Sequence, residues 1–291
     1  MVTAEQDTGL TNADQIDYWN ATAGETWAAL QENLDRQIEP LGRRAMDALA
    51  PFAGERVIDI GCGCGQTTLE LARRVGPSGE ALGVDVSAPM LAVAVRRAEQ
   101  AGEARARFLR ADAQTHPFEP CGAEAVFSRF GVMFFSDPTA AFRIISAGLA
   151  EGGRLAFVCW RAMELNPFMT APLAAAARFL AAPPARPDPD APGPFAFAAA
   201  DKIQGILAQA GFGEIELHAH DLAIGAGDLD QTVRTALSIG PLGAALREQP
   251  QLTPQVEQAV REALAQHLSG GRVLLDSASW IVTARKGARR A

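Results

Sequence analysis

The feature that most constrains this chain is the stretch Arg56-Val-Ile-Asp-Ile-Gly-Cys-Gly-Cys-Gly-Gln-Thr67. Residues 57–60 are an apolar run interrupted only by Asp59, the pattern of a short strand buried on both faces. Gly61, Gly63 and Gly65 then stand at alternate positions, so the backbone can turn sharply and let a ligand reach the main chain. Over residues 66–75 apolar side chains recur at helical spacing. Strand, glycine turn and helix in that order form a cradle for a small molecule. A dinucleotide-binding turn requires G-x-G-x-x-G, with its last glycine packing helix on sheet. Counted from Gly61 that glycine would fall at Gln66, and counted from Gly63 at Thr68. The chain carries D-x-G-x-G-x-G instead, from Asp59 to Gly65.

Beyond the cradle, strand and helix patterns alternate. Residues 80–86 read as a second strand, with Ser87 and Pro89 capping and opening the next helix. Residues 106–110, 124–128 and 154–160 read as the third to fifth strands. Asp137-Pro138 opens a helix that is expected to run to Leu149 and stop at Gly152-Gly153. This alternation predicts parallel strands, right-handed crossovers and helices on both faces. Upstream, Trp27, Leu30 and Leu34, and then Ile38, Leu41, Ala45 and Leu49, recur on helical faces, which predicts a helical cap over residues 1–50. After residues 51–160, the binding core, the rhythm breaks. Residues 169–180 have helical spacing, but the proline-rich 182–194 excludes a regular element, so 161–195 is expected as a lid or insert. Residues 196–291 then complete the sheet, with strands at 214–224 and 277–284 and a helical insert at about 226–271. Within that insert Val256, Val260, Leu264 and Leu268 share one helical face.

Composition removes several function classes. The net charge of -8 and pI near 5.1 argue against a broad face for nucleic acid. Residues 1–10 lack a basic or apolar leader segment, and the apolar run at 172–182 is short and broken by Arg178, so no membrane span is expected. Four cysteines are too few for a disulfide framework, which makes a reduced, cytoplasmic setting the expectation. Cys62-x-Cys64 has no second pair to complete a metal site, so no metal is expected.

The D-x-G-x-G-x-G turn, followed by Asp85 after the second strand and Asp112-Ala113 after the third, resembles the class I S-adenosylmethionine-dependent methyltransferases. The likeness runs from about Arg56 to Trp160. It implies an α/β, Rossmann-like sheet of seven strands, one of them antiparallel, with the cap and inserts around it. It also implies S-adenosylmethionine as cofactor and S-adenosylhomocysteine as product. Main-chain groups of Gly61, Cys62, Gly63 and Gly65 would meet the polar end and the ribose edge. Asp59 would hold the ligand ammonium, directly or through water, or else bind the amides of the turn. Asp85 would accept both ribose hydroxyls; the competing reading is a helix cap or turn residue. Val86 and Met90 would pack on adenine, and Asp112 and Ala113 would read its amino group and ring nitrogen. The backbone of Ser128 and the side chain of Arg129 would lie near the methionine end; the competing reading of Arg129 is a plain salt-bridge residue.

Tyr18 and Trp27 of the cap, with Phe130, Met133 and Phe134 after the fourth strand, would enclose an apolar acceptor site. Tyr18-Trp19-Asn20 and the order of the core are similar to the ubiquinone/menaquinone-biosynthesis type. The acceptor is thus expected to be a hydrophobic or aromatic small molecule, methylated on carbon, oxygen or nitrogen by a monomer or homodimer. His116 and Tyr18 are the candidates for a general base. Asn166-Pro167-Phe168 resembles the amino-methyltransferase signature but follows the fifth strand instead of the fourth, and reads as a loop. Two alternatives stand beside this reading: a nicotinamide-dependent oxidoreductase, which Gln66 opposes, and a non-catalytic S-adenosylmethionine-binding protein.

Overall fold

The computed structural model describes residues 12–180 and 188–287. Three helices come first: α1 (Ala13–Asn20), α2 (Thr22–Ala29) and α3 (Gln31–Leu49). The longest, α3, buries Leu34, Ile38, Leu41, Ala45 and Leu49 along one stripe, so it packs as an amphipathic helix on the sheet. Strands and helices then alternate as β1 (Arg56–Ile60), α4 (Gln66–Val75), β2 (Glu80–Asp85), α5 (Ala88–Ala101), β3 (Ala106–Arg110), β4 (Ala123–Arg129), α6 (Pro138–Gly148) and β5 (Leu149–Trp160). Local chemistry starts these helices: the side chain of Ser87 accepts from the Met90 N–H, and that of Asp137 from the Ala140 N–H. The chain closes with α7 (Pro167–Ala176), α8 (Ala200–Gln209), β6 (Phe212–Ile224), α9 (Leu229–Ser238), α10 (Gly240–Glu248), α11 (Thr253–Ala265), a short hairpin of β7 (Leu268–Ser269) and β8 (Arg272–Val273), and β9 (Leu275–Lys286).

The main sheet has seven strands in the order β3-β2-β1-β4-β5-β9-β6. Neighbours from β3 to β5 are parallel, whereas β9 runs antiparallel to both β5 and β6. The order reverses between β1 and β4, which opens a crevice at the carboxyl ends of these strands, where open α/β sheets bind ligands. Among the described residues no helix is long and apolar enough to cross a membrane.

Two boundaries differ from the sequence expectation. The helix α6 ends at Gly148, where a Cβ would stand 2.7 Å from Cβ of Phe118, and β5 begins at once with Leu149 paired to Ala123. Gly152-Gly153 therefore lies within an irregular strand, Gly152 at φ 70°, rather than at a helix end. The expected helix over 169–180 spans Pro167–Ala176. Of the proline-rich segment, residues 182–187 lie outside the described residues, and 188–194 is irregular, held to the post-β4 loop by Gly193 N–H to Met133 O at 3.0 Å.

Among the described residues there are two apolar cores. The larger surrounds the sheet and includes Phe127, Phe142, Phe157 and Phe197, each fully buried. The smaller belongs to the helical insert, where Ala176, Val233, Leu242, Val256, Val260, Leu264 and Val273 meet. Phe168 packs against both. The Asn166-Pro167-Phe168 stretch, expected as a loop, is a brace at the start of α7. Asn166 is completely buried, donates to the carbonyls of Arg161 (3.3 Å) and Ala162 (3.0 Å), and accepts from the Ala278 N–H of β9 (2.9 Å).

A second polar brace lies inside the first strand. Asp59 is completely buried, and its Oδ2 accepts from the hydroxyls of Thr67 (2.7 Å) and Thr68 (2.6 Å), fastening α4 to β1. Its Oδ1 has no hydrogen-bond partner among the described residues. Desolvation by burial outweighs the two hydroxyl bonds and pushes the carboxyl up from 3.8 to about 6.

Both braces generate expectations. Asn166→Ala removes three bonds and leaves the Ala278 N–H buried without a partner. The free energy of unfolding in urea should fall by about 2–3 kcal/mol. For Asp59, a carboxyl raised to about 6 binds its proton more tightly folded than unfolded. Stability from this group should therefore fall as pH rises from about 4 to about 6, by on the order of 3 kcal/mol in total. Urea unfolding of Asp59→Asn across that window should show a flatter pH dependence than the parent chain; an identical slope would contradict the assignment.

Candidate active site

A cavity of about 270 Å³ lies at the carboxyl ends of the central strands, between the sheet, the cap and the helical insert. Its floor is the glycine turn: Gly61, Cys62, Gly63 and Cys64 all border it. Gly61 has φ 68°, its N–H donates to Val84 O (2.8 Å), and a Cβ there would stand 2.6 Å from Cα of Gly131. Only glycine lets the post-β4 loop lie this close to the turn. Gly65 serves packing instead. It does not border the cavity, and a Cβ there would press on Ala94 of α5 and Phe108 of β3.

Asp85, the last residue of β2, borders the cavity and also shapes its floor. One carboxylate oxygen accepts from the Gly63 N–H (2.8 Å), the other from the Ser87 N–H (2.8 Å). The sequence left ribose acceptor and turn residue as competing roles; the geometry makes them compatible, because each oxygen keeps a further lone pair for a ligand hydroxyl. Burial raises the Asp85 carboxyl above its usual value, opposed by the bonds from these backbone amides.

Val86, Met90, Asp112 and Ala113 border the same end of the cavity. Asp112 Oδ1 accepts from the Gln114 N–H (3.0 Å) and from Asn12 Nδ2 (3.3 Å). Asn12 and Gln15 also line the wall, and neither was singled out from sequence. On the other side stand Arg129, Phe130 and Met133. Phe130 has a left-handed backbone, φ 62°, and its ring stacks on Trp160 with centroids 4.0 Å apart and planes 14° from parallel. Arg129 is ion-paired with Asp35 (3.0 Å) and hydrogen-bonded to Gln66.

Several expected site residues lie elsewhere. Asp59 does not border the cavity and bonds threonine hydroxyls of α4 rather than the amides of the turn. Ser128 is fully buried: its Oγ donates to Ile60 O (2.7 Å) and accepts from the Gly131 N–H (3.2 Å), so it ties the post-β4 loop to β1. Tyr18 is 48% exposed and outside the cavity. The next residue on α1, Trp19, takes the inward place, meeting Tyr18, Trp27 and Phe134 edge to face at 5.2, 5.8 and 5.3 Å. Trp27 borders the cavity as expected from its position in the cap. Asn20 anchors α1 through Nδ2 to Val86 O (3.0 Å) and by accepting from the Ala88 N–H (3.0 Å). His116 lies outside the cavity, edge-on to Phe118 at 5.0 Å.

The thiols bordering the turn are not poised nucleophiles. Burial raises Cys62 well above its usual value and pushes Cys64 up to about 12, so both stay protonated near neutrality. Among the described residues no group of three or more His, Cys, Asp or Glu side chains is placed to hold a metal.

Residues 57–153 match a family model described as a methyltransferase domain. Two curated relatives share this region. The aklanonic acid methyltransferase DauC of Streptomyces sp. (strain C5) is 35% identical over 118 residues, 40% of this chain and 54% of the relative. A demethylmenaquinone methyltransferase of Thermus thermophilus is 41% identical over 113 residues, 39% of this chain and 50% of the relative. The chain thus spans about half the length of these relatives. Among solved structures, the YcgJ protein of Bacillus subtilis superposes with a TM-score of 0.57 at 20% identity, covering 86% of this chain and 99% of that one. A phosphoethanolamine N-methyltransferase of Haemonchus contortus, solved with S-adenosyl-L-methionine, superposes with a TM-score of 0.57 at 17% identity, covering 97% and 61%. At such identities these superpositions speak for the fold alone. Glycine turn, strand order and single antiparallel strand accompany the family match: residues 57–153 carry a methyltransferase domain, set in a sheet whose fold is shared with the YcgJ protein.

Proposed function

We propose that this chain transfers a methyl group from S-adenosylmethionine to a hydrophobic or aromatic small molecule. The observation that carries the reading is the position of Asp85. Its carboxylate ends β2 at the cavity wall and is bound to the glycine turn of the neighbouring strand. A nucleoside with an amino-acid tail fits that pairing, ribose hydroxyls on Asp85 and the tail along the turn. Charge-assisted bonds of this kind contribute roughly 1.5–3 kcal/mol each. Trp19, Val86, Met90, Asp112 and Ala113 would enclose the base.

The other half of the cavity supports an apolar acceptor. Phe130, Trp160, Phe168, Ile239, Leu242 and Leu264 line it. Thr232 and Thr235 also lie there, but their hydroxyls donate within α9 and its cap to the carbonyls of Asp228 (2.8 Å) and Gln231 (2.8 Å). Much of this wall comes from segments after residue 153, outside the family match, so the acceptor is read from the cavity itself. That two relatives are named for aklanonic acid and demethylmenaquinone is in keeping with a small-molecule acceptor.

When bound, S-adenosylmethionine supplies a methyl group activated by its sulfonium, and transfer neutralises that charge, so no oxyanion hole is needed. The task left to the protein is to align the acceptor with the methyl group and to keep water out. Phe130, held in a left-handed backbone between Ser128 and the Gly131–Gly61 contact, is positioned to fix the acceptor relative to the turn. His116 and Tyr18 do not border the cavity, so neither is assigned as a base.

Calorimetry should show S-adenosylmethionine and S-adenosylhomocysteine binding and NADH failing to bind. Asp85→Ala should weaken S-adenosylhomocysteine at least about tenfold, equivalent to ~1.4 kcal/mol. An unchanged dissociation constant would remove Asp85 from the site. In a screen of quinols, phenols and amines, S-adenosylhomocysteine should form only when an apolar ring-bearing acceptor is present. Turnover of charged amines alone would contradict the acceptor assignment.

A further inference from the structure

The cap brings one acid into the interior beside the turn. Asp35 of α3 is mostly buried and is shared by two arginines from different elements: Arg97 of α5 at 2.9 Å on Oδ2 and Arg129 at the end of β4 at 3.0 Å on Oδ1. Gln31, one helical turn earlier, donates to Oδ2 at 2.7 Å. Each arginine then reaches one side of the ligand-facing turn. Arg97 Nη1 also donates to the carbonyl of Cys64 (2.8 Å), and Arg129 Nη1 donates to Gln66 at the start of α4. The stem of Arg129 passes directly beneath α3, where a Cβ at Gly42 would stand 2.6 Å from its Cδ. Asp35 and Arg129 both border the cavity.

We propose that Asp35 is a positioning residue: through Arg97 and Arg129 it fixes the Cys64–Gln66 part of the turn and keeps the cap closed over the cofactor's amino-acid end. The proposal rests on the reading that this turn holds S-adenosylmethionine. Isolated buried ion pairs contribute little net stability compared with apolar packing, so the pairing needs another reason. Its arrangement supplies one. The same carboxylate joins four separate pieces of the fold, α3, α5, the end of β4 and the turn, at the wall of the site. Without it two guanidiniums would face each other beside a cofactor that itself carries an ammonium and a sulfonium. The other ties of the cap do not pass through Asp35: Asn20 holds α1 to the β2–α5 loop, and the apolar stripe of α3 holds the sheet.

The test compares Asp35→Asn, Asp35→Glu, Arg129→Gln and the Asp35→Asn/Arg129→Gln double variant by calorimetry with S-adenosylhomocysteine, alongside thermal melts of each ligand-free protein. Asp35→Asn should weaken binding about tenfold or more, with a ligand-free melting midpoint within a few degrees of the parent. Asp35→Glu, which keeps the charge, should recover part of the loss. The double variant should be scarcely weaker than the worse single one, since both changes break one network. If Asp35→Asn does not fold, Arg97→Gln removes one arm of the network and carries the same expected loss of affinity. Binding within twofold of the parent, or losses that add in full in the double variant, would overturn the proposal. Failure of the parent chain to bind S-adenosylhomocysteine would instead overturn the reading of the site beneath it.

Discussion

Two backbone amides, those of Gly63 and Ser87, converge on the carboxylate of Asp85. The first belongs to the turn after β1 and the second to the loop that starts α5, so a single side chain sets the spacing of two loops at adjacent strand ends. Much else in the site follows from this junction. The turn is held where Gly61 can touch Gly131, and that contact fixes the post-β4 loop with Phe130 at its tip. An ordinary loop would keep these amides solvated and the site unformed. Here both donors are already bound to the half-buried carboxylate of Asp85, so the spacing of the two loops is set within the protein itself.

Around that junction the chain places two apolar bodies with different duties. The sheet core is continuous from α3 through the central strands to the antiparallel pair at the far edge. The insert has a core of its own, and Phe168 packs against both. The cavity lies where the bodies meet, which explains its divided character: carboxylates and main-chain amides on the side of the turn, rings and aliphatic groups on the side of the insert. Asn166 is the mechanical link, since its amide ties the start of α7 to the loop after β5 and to β9. Binding polar and apolar ligands side by side requires such a division, because a buried polar group without a partner costs free energy while an apolar wall does not.

The turn side of the cavity was legible in the sequence because it is encoded locally. A strand, a glycine turn and a helix within twenty residues carry their own periodicities, and Asp85 stands where the second strand pattern ends. The sheet order came with the family resemblance and was not derivable from spacing alone. What sequence missed depends on which way a side chain points. On a helix as short as α1, neighbouring aromatics differ by about 100°, and only the packed structure shows that Trp19 faces in and Tyr18 out. Asp59 and Ser128 are acids and hydroxyls at strand positions near the site, yet both point to neighbouring elements and act as braces. For Asp35 a signal did exist: it lies next to Leu34 on the buried stripe of α3, and seven residues later Gly42 leaves room on the same face. An acid on an apolar stripe asks for a cationic partner. Which partner, from 62 and 94 residues away, is tertiary information.

In the proposed reading, the turn after β1 and the acid ending β2 together hold an adenosyl amino acid. A crystal structure of the chain with S-adenosylhomocysteine tests it most directly. The expected density runs along the Gly61–Gly63 backbone, with both ribose hydroxyls within hydrogen-bond distance of Asp85 and the sulfur facing the Phe130–Trp160 pair. Density lodged elsewhere, or a ribose turned away from Asp85, would contradict the account.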